Sequence, residues 1–262
     1  YGKSLVWVAT DKKKIVATFS IIPLEYIIDG KVVKGSCSIA MIVHPDYQNK
    51  GLIKFVADKL FNEAKINKIR FVYGYPNENA YQIHKVFFSY TDISMQKLYF
   101  QKIHKDLKIK LENKILINES ERFDKADNKF LKKASNQRKV SLKRTNDFLN
   151  WRYFDRPDYQ YKVFKFVKNN NLIAYVVLKI YKEDKIIRGH IIDLFYDKKT
   201  NVFNEIINFS KKYFIKNNCN ELTLWLQGDE LASKKLKKQG FKVLSSRPMI
   251  CKFIDLKKKK NK

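Results

Sequence analysis

A loop early in the chain could bind an anion at the start of a helix: Pro45-Asp46-Tyr47-Gln48-Asn49-Lys50-Gly51-Leu52-Ile53. A strand is predicted to end at Pro45, and the apolar spacing that follows predicts a helix from Gly51 to Lys65. The first N–H groups of a helix have no intrahelical partner and lie at the positive end of its dipole. Gly51 removes a side chain where a ligand would come close, and Lys50 adds positive charge. The chemistry indicated is pyrophosphate binding. The alternative is a plain strand–turn–helix with a glycine for packing.

A second polar segment, Asn77-Glu78-Asn79-Ala80-Tyr81-Gln82-Ile83-His84, follows the next predicted strand. That strand, from Ile69 to Tyr75, is apolar almost throughout, as in a strand that is buried on both faces. Ligands of α/β sheets bind where neighbouring strands end. We therefore expect the two polar segments to lie at one edge of a sheet.

The elements around these segments recur in the second half of the chain. The first series runs from Ile42 to Ala80 and the second from Ile192 to Ala232. Each contains an apolar strand, a turn, an amphipathic helix, a second apolar strand and a helix start. A repeat of this length predicts a duplicated domain. We expect two domains, residues 1–104 and 105–262, of which the first lacks its own opening strand and helices.

The second copy lacks the residues that would hold a ligand. In the aligned register Val202 stands in place of Gly51, and Asp229 stands in place of Asn77. A β-branched residue blocks close approach of a ligand to the backbone, and a carboxylate repels an anion. The second copy is therefore predicted to keep the scaffold without the ligand. Between the copies, a helix is predicted from Glu119 to Lys133.

These residues resemble the GNAT (GCN5-related N-acetyltransferase) superfamily. The segment from Gln48 to Ile53 is similar to its motif [Q/R]-x-x-G-x-[G/A], with Ile53 in place of the final small residue. Asn77 and Ala80 match the later motif of the family, in which His84 takes the position of a frequent tyrosine. Three segments show a closer resemblance to the tandem GNATs often found near bacterial polysaccharide genes: Tyr1–Ala9, His44–Gly51 and Gly74–Asn79.

The resemblance implies an α/β fold with a mixed sheet in each of two tandem GNAT domains, and acetyl-CoA as co-substrate. The pyrophosphate would lie on the loop before the predicted helix, the pantetheine would pair with the preceding strand, and Asn77 would hold the pantetheine arm. The cofactor-binding residues implied are Ile42, Val43, Gln48, Asn49, Lys50, Gly51, Leu52, Ile53 and Asn77.

Catalysis by direct amine attack needs a base for the ammonium and an acid for the departing thiolate. The resemblance implies that His84 is the acid. The alternative is that His84 is a surface or packing residue of an ordinary helix, with Tyr81 or Tyr90 as a nearby substitute. The base stays open among Glu25, Glu78 and His44.

The composition limits the classes of partner and the cellular setting that we expect. The net charge of +28 favours anionic ligands, but the lysines are scattered, so nucleic acid is not expected as the main partner. No run is long enough to span a membrane, and no leader is visible at the start. The three cysteines have no metal-site spacing, so we expect no metal, and a reduced cytoplasmic compartment fits them.

The function that follows is acyltransferase activity. We expect an N-acetyltransferase that acts on the amine of a small molecule or sugar nucleotide, for example an amino sugar of a surface polysaccharide. One alternative is a degenerate GNAT pair that binds without catalysis. Another is a peptidoglycan-type aminoacyltransferase that uses aminoacyl-tRNA.

Overall fold

The computed structural model describes residues 3–111, 114–157, 160–183 and 186–254. In chain order the strands are β1 (Leu5–Asp11), β2 (Lys14–Ile28), β3 (Lys31–Val43), β4 (Phe71–Gly74), β5 (Thr91–Lys102), β6 (Leu116–Ser120), β7 (Val140–Leu142), β8 (Lys162–Lys168), β9 (Asn171–Glu183), β10 (Ile186–Tyr196), β11 (Glu221–Gln227) and β12 (Lys242–Phe253). The helices are α1 (Leu52–Ile66), α2 (Glu78–Phe88), α3 (Asp127–Ser135), α4 (Asn146–Tyr153), α5 (Phe203–Lys216) and α6 (Glu230–Lys238).

The chain folds into two compact units. Among the described residues, unit A comprises 3–95, 139–143 and 247–254, and unit B comprises 96–138 and 144–246. Both units thus contain segments from both sides of residue 104. The division into domains 1–104 and 105–262 stays a prediction.

Unit A is built on five strands in the order β1-β2-β3-β4-β12, and β7 pairs with the outer part of β2. β1, β2 and β3 form an antiparallel meander, whereas β3 and β4 are parallel. α1 buries Val56, Ala57, Leu60 and Ala64 at helical spacing, and these side chains share a core with Phe19 of β2. The helix is thereby fixed on the sheet, and the loop of residues 44–51 connects it to the end of β3.

Unit B repeats this arrangement with strands in the order β5-β11-β10-β9-β8-β6. β8, β9 and β10 are antiparallel, and β10 and β11 are parallel. α5 buries Ile206, Ile207 and Phe214 in the unit B core. The series β8-β9-β10-α5-β11-α6-β12 therefore follows the same order as β1-β2-β3-α1-β4-α2-β5.

The last strands of the two series are exchanged between the units. β12, which ends the second series, pairs with β4 in unit A, with Cys251 opposite Tyr73. β5, which ends the first series, pairs with β11 in unit B, with Tyr99 opposite Leu224. Each sheet is thus completed by a strand from the other series.

The predicted helix from Glu119 to Lys133 is wrong over residues 119–126 and confirmed from Asp127 onwards. Its first residues belong to β6, which pairs with β8, and the helix in this region is α3, which begins at Asp127. Pairing with a neighbouring strand overrides the local preference for helix. Within the described ranges, no helix has both the length and the apolar character that a membrane span requires.

Two buried glycines allow a comparison of packing. A Cβ on Gly189 of β10 would lie 2.4 Å from Cγ of Phe214, whereas a Cβ on Gly35 of β3 would lie 2.4 Å from Cζ of Phe71. Phe214 is fully buried, and the added Cβ would contact Cγ, the atom that joins the ring to the rest of the side chain. The ring therefore cannot move aside. Phe71 is only partly buried and is met at the far end of its ring.

We expect Gly189→Ala to lower the free energy of unfolding by about 1–3 kcal/mol, because overpacking forces neighbours out of position. Gly35→Ala is the matched control and should cost less. Urea unfolding of both variants and the wild type measures the difference. An equal loss in both variants would contradict the packing at Phe214.

Candidate functional site

The parallel pairing of β3 with β4 is short. Only Ser36 with Val72 and Cys37 with Tyr73 are paired, and β3 then continues to Val43 while β4 ends at Gly74. From residue 38 to 43, β3 has β2 on one side and no strand on the other among the described residues. A β-bulge in β3 at Ile39 marks the start of this stretch, because Ser20 pairs with Ala40 and Ile21 pairs with Ser38. The end of β3 is therefore an open edge.

The register shows which backbone groups this open edge presents. The N–H of His44 donates to Val16 O at 2.8 Å, so residue 44 directs its backbone groups to β2. Backbone direction alternates along a strand, and Met41 and Val43 therefore present N–H and C=O groups to the open edge. The side-chain amide of Gln48 donates to Val43 O at 3.4 Å. Two residues are predicted to contact the pantetheine. Val43 presents its backbone groups to the open edge, whereas Ile42 does not, and the side chain of Ile42 is exposed.

The loop after β3 has two residues in the left-handed region. A single 3-10 turn spans Pro45–Tyr47, Asn49 follows with φ 59°, and Gly51 has φ 74°. Gly51 occupies the position before α1, and no side chain caps this helix start among the described residues. A turn of this kind brings successive N–H groups towards one point, which suits an anion. An added Cβ on Gly51 would meet nothing within 4 Å, so the space beside it is open.

The other predicted loop residues support this geometry. Lys50 donates from Nζ to Asp46 O at 2.9 Å and lies 5.0 Å from the ring centroid of Tyr47. Leu52 and Ile53 pack partly against the unit A core. Their side chains anchor the first turn of α1, while their N–H groups belong to the unsatisfied helix start.

Asn77 lies at the start of α2. Its Oδ1 accepts a hydrogen bond from the N–H of Ala80 at 2.9 Å, so the side chain caps the helix. This bond holds the amide in place and leaves its NH₂ group uncommitted among the described residues. Asn77 can thus donate a hydrogen bond to a ligand from a fixed position.

His84 lies inside the aromatic core of unit A with 5% of its surface exposed. Its ring makes edge-to-face contacts with Phe19, Phe88 and Tyr90. Nδ1 lies 2.7 Å from Ala80 O, a contact that fits a donating N–H at this nitrogen. Burial lowers the pKa of His84, against the opposing effect of the bond to Ala80 O. A neutral imidazole is a poor acid for protonating a thiolate. The burial of His84 therefore favours the interpretation that it is a packing residue.

Tyr81 lies one helical turn before His84 and is partly exposed. Its hydroxyl donates to the carboxylate of Asp92 at 2.9 Å, and Asp92 also pairs with Lys85 at 2.7 Å. The bond to Asp92 raises the pKa of Tyr81, so the phenol keeps its proton at neutral pH. Asp92 had no signal in the sequence, since its role depends on β5 returning beside α2.

The structure places the candidate bases in different settings. Glu25 pairs with Lys143 at 2.7 Å. His44 Nδ1 accepts from the N–H of Asp46 at 3.4 Å and thus caps the 3-10 turn. Glu78 is exposed in the first turn of α2. The structure does not single out one of them. The described residues hold no group of three or more His, Cys, Asp or Glu side chains that could bind a metal ion.

The corresponding loop of the second copy is satisfied from within. The buried carboxylate of Asp197 accepts from the N–H of Lys199 at 2.9 Å and from Gln137 at 2.7 Å, and it pairs with Lys133 at 2.8 Å. Burial would raise the pKa of Asp197, but these partners outweigh burial and lower it. Val202 is buried with helical φ of −80°.

A small pocket of about 280 Å³ remains beside this second loop, between Tyr196 and Lys235. Asp229 caps α6 as Asn77 caps α2, through the N–H of Ala232 at 2.9 Å. The scaffold of the site is therefore present in both copies. The left-handed glycine at the helix start is a feature of the first copy, whereas neither α1 nor α5 has a side-chain cap at its start among the described residues.

Comparison with known proteins bears on the fold. Residues 1–85 match the family model described as an acetyltransferase (GNAT) domain. No curated protein matches the chain in sequence. Among solved structures, the chain is similar to a GCN5-related N-acetyltransferase from Anabaena variabilis, with a TM-score of 0.74 and 11% identity over 95% of this chain and 62% of that chain. The chain therefore spans less than two thirds of that structure.

Two further structures show the range of this fold. The chain is similar to the Saccharomyces cerevisiae N-myristoyltransferase with bound myristoyl-CoA, with a TM-score of 0.63 and 11% identity over 94% of this chain and 69% of that chain. It is also similar to a tandem GNAT protein from the clavulanic acid biosynthesis pathway, with a TM-score of 0.62 and 7% identity over 96% of this chain and 83% of that chain. At these identities the similarity shows the fold alone. The predicted α/β fold of the GNAT type is confirmed.

The lowered pKa of His84 predicts a dependence of stability on pH. Because the folded pKa lies below the ordinary value of 6.5, the unfolded chain binds the proton more readily. The stability contributed by neutral His84 is therefore complete above pH 6.5 and is lost as the pH falls through the folded pKa. A tenfold difference in proton affinity between the folded and unfolded chains corresponds to about 1.4 kcal/mol.

We expect His84→Gln, which can still donate to Ala80 O but does not titrate, to lose less stability than the wild type over this range. Urea unfolding at a series of pH values measures the difference between the two proteins. Parallel profiles would mean that His84 is not held neutral by its core position.

Proposed function

We propose that the chain is an acyl-CoA-dependent N-acyltransferase that transfers an acetyl group from acetyl-CoA to the amine of a small acceptor. The observation that carries the proposal is the open edge of β3 running into the uncapped start of α1. One end offers strand-type hydrogen bonds, and the other offers converging N–H groups. The GNAT match over residues 1–85 and the shared fold support acyl transfer from an acyl-CoA in general.

The residues present fit acetyl-CoA in three places. The loop from Gln48 to Ile53 would hold the pyrophosphate, since it leads into an uncapped helix start and Gly51 leaves open space. The backbone of Met41 and Val43 would pair with the pantetheine amides as a neighbouring strand does. Asn77 would donate its amide to the same arm.

Bound acetyl-CoA supplies a thioester that an amine can attack directly. The chain must hold the acceptor nitrogen at the thioester carbon, accept one proton from the ammonium and provide one for the sulfur. A C–N bond forms, the C–S bond breaks, and the free thiol leaves. Tyr81 is the proposed acid, because it is partly exposed and keeps its proton. His84, in contrast, is neutral and buried.

We propose an acetyl group as the acyl chain because β3 and β4 lie close together at the point where the open edge begins. A Cβ on Gly74 would lie 3.3 Å from the Cβ of Ser38, so the strands pack tightly here. The acceptor is proposed to be a small amine, an amino sugar or a sugar nucleotide. The net charge of +28 favours an acceptor with phosphate groups. Acetyl-CoA as donor and the reduced cysteines fit a reaction in the cytoplasm.

The first test concerns Gly51. Gly51→Val should weaken acetyl-CoA binding by about tenfold or more, a loss of about 1.4 kcal/mol or more, because the branched side chain fills the space beside the loop. Gly30→Val is the matched control, since Gly30 also has a left-handed φ of 76° with nothing within 4 Å of an added Cβ. Calorimetric titration of both variants measures the affinity.

Val202→Asp tests the second copy in the same titration and should leave the affinity unchanged. If Gly30→Val or Val202→Asp lowers it as much as Gly51→Val, the assignment of the loop is wrong.

The second test concerns the acid. Tyr81→Phe should lower turnover by about 10–1,000-fold with little change in acetyl-CoA affinity, since a positioned acid contributes on the order of 10²–10⁴. Steady-state kinetics with a panel of amines, paired with calorimetry, separates the two effects. His84→Gln is the control and should retain turnover.

Collapse of turnover in His84→Gln alone would return the role to His84. Acetyl-CoA binding without turnover of any amine in the wild type would favour the non-catalytic alternative.

A further inference from the structure

A groove lies within unit B, whereas the loops that the acyl-transfer proposal uses belong to unit A. It has a volume of about 840 Å³ and lies between α3, strands β8 and β9 with their connecting turn, and the loop after β10. Its lining holds four lysines, Lys129, Lys133, Lys165 and Lys168, and three aspartates, Asp124, Asp127 and Asp197. We call it the Lys–Asp groove.

Two of these lysines are fixed by carboxylates that are buried behind them. Lys165 Nζ lies 2.7 Å from Asp127 Oδ2, and both side chains are largely buried. Lys133 Nζ lies 2.8 Å from Asp197 Oδ2, whose side chain is 5% exposed. An ammonium has three N–H donors, and each pair uses one of them at short range. Lys165 is thus held between Asp127 and Asp124, the latter at 3.9 Å, whereas Lys133 is anchored through Asp197 alone and its side chain is 62% exposed. Each ammonium keeps donors beyond its short pair.

The charge in the groove is not balanced. Asp127 and Asp197 each have a lysine partner at short range, and Asp124 Oδ2 lies 3.9 Å from Lys165 Nζ while its Oδ1 accepts the N–H groups of Ala126 and Asp127. Lys129 and Lys168 have no carboxylate partner within the part of the chain that the structure describes. The lysines of the groove therefore outnumber its aspartates. The unused N–H donors of these lysines belong to positively charged ammonium groups.

The frame of the groove is rigid. Lys165 and Lys168 lie on β8, which turns into β9 through Asn169 and Asn170, both with left-handed φ. A two-residue turn of this type fixes the strand register. Lys129 and Lys133 lie one turn apart on α3. An array of cations on a strand and a helix is preorganised, which lowers the cost of binding.

We propose that the Lys–Asp groove is a binding site for a phosphate-bearing small molecule. Its volume falls in the range of small-molecule sites, and Phe130, Val167 and Ile173 line it with apolar surface. Phosphate would take the unused donors of Lys133 and Lys165 together with the free charges of Lys129 and Lys168. The body of the ligand would lie on the apolar surface. The same chemistry is offered by a sugar phosphate and by a nucleotide.

The test is calorimetric titration of the full chain with inorganic pyrophosphate at about 0.15 M ionic strength, where exposed charges are screened beyond about 8 Å. Lys129→Gln with Lys168→Gln should weaken binding by about tenfold or more. The matched control removes the same charge from exposed lysines of unit B outside the groove, in Lys212→Gln with Lys237→Gln, and should bind as the wild type does. Equal losses in the two double variants would mean diffuse attraction and would overturn the proposal.

Gly51→Val separates this site from the proposed acetyl-CoA site. It should leave pyrophosphate binding at the groove intact even if acetyl-CoA binding is lost. Loss of pyrophosphate binding in Gly51→Val would assign the anion to the loop in unit A and would overturn the groove. Failure of acetyl-CoA to bind at all would leave the groove unaffected.

Two further titrations identify the source of the phosphate. Uridine diphosphate that binds more tightly than pyrophosphate, with the gain lost in Lys129→Gln with Lys168→Gln, indicates a nucleotide. The same result with glucose 1-phosphate indicates a sugar phosphate. Absence of measurable binding of all three probes to the wild type would overturn the proposal.

Discussion

The early end of the pairing between β3 and β4 is the constraint on which the proposed site depends. Had β4 continued alongside β3, the backbone groups of Met41 and Val43 would be satisfied within the sheet. The bulge at Ile39 and the stop at Gly74 leave them without a strand partner instead, and the side chain of Gln48 donates to Val43 O. An unpaired strand edge is usually a liability, because it invites pairing with other chains. Here the edge is short and runs directly into the loop before α1, which fits an extended ligand with amide groups and a phosphate end.

The two copies satisfy the backbone of the same loop in different ways. In the first copy a left-handed glycine and an uncapped helix leave the N–H groups for a ligand. In the second copy the Asp197 carboxylate accepts the N–H of Lys199 from its own loop. A carboxylate inside the loop supplies the negative charge that a phosphate would otherwise bring. The second loop thus carries its own negative charge, although α5, like α1, begins without a side-chain cap among the described residues.

Helical spacing predicted α1 closely, and the continuous apolar run predicted β4, because both signals lie within one segment. The open edge at Met41 could not be predicted, since it depends on the register of β3 with β2. The burial of His84 had a partial signal: Phe88 lies four residues later on the same helix face, and both are buried. The first part of the helix expected from Glu119 failed because strand pairing with β8 is invisible in local propensity. The Lys–Asp groove joins segments that are distant in sequence, so no motif marked it.

The exchange of β5 and β12 has a consequence for the order of folding. Gly74 of β4 pairs with Ile250, so unit A cannot complete its sheet until nearly the whole described chain has been synthesised. A nascent chain that has reached only β5 carries an unpaired β4 edge and a β5 strand whose own partner, β11, does not yet exist. Long-range pairings of this kind slow folding, because chain entropy is lost before contacts are gained. The two copies therefore fold cooperatively. During synthesis the sheet of unit A is completed only after the second copy has been made.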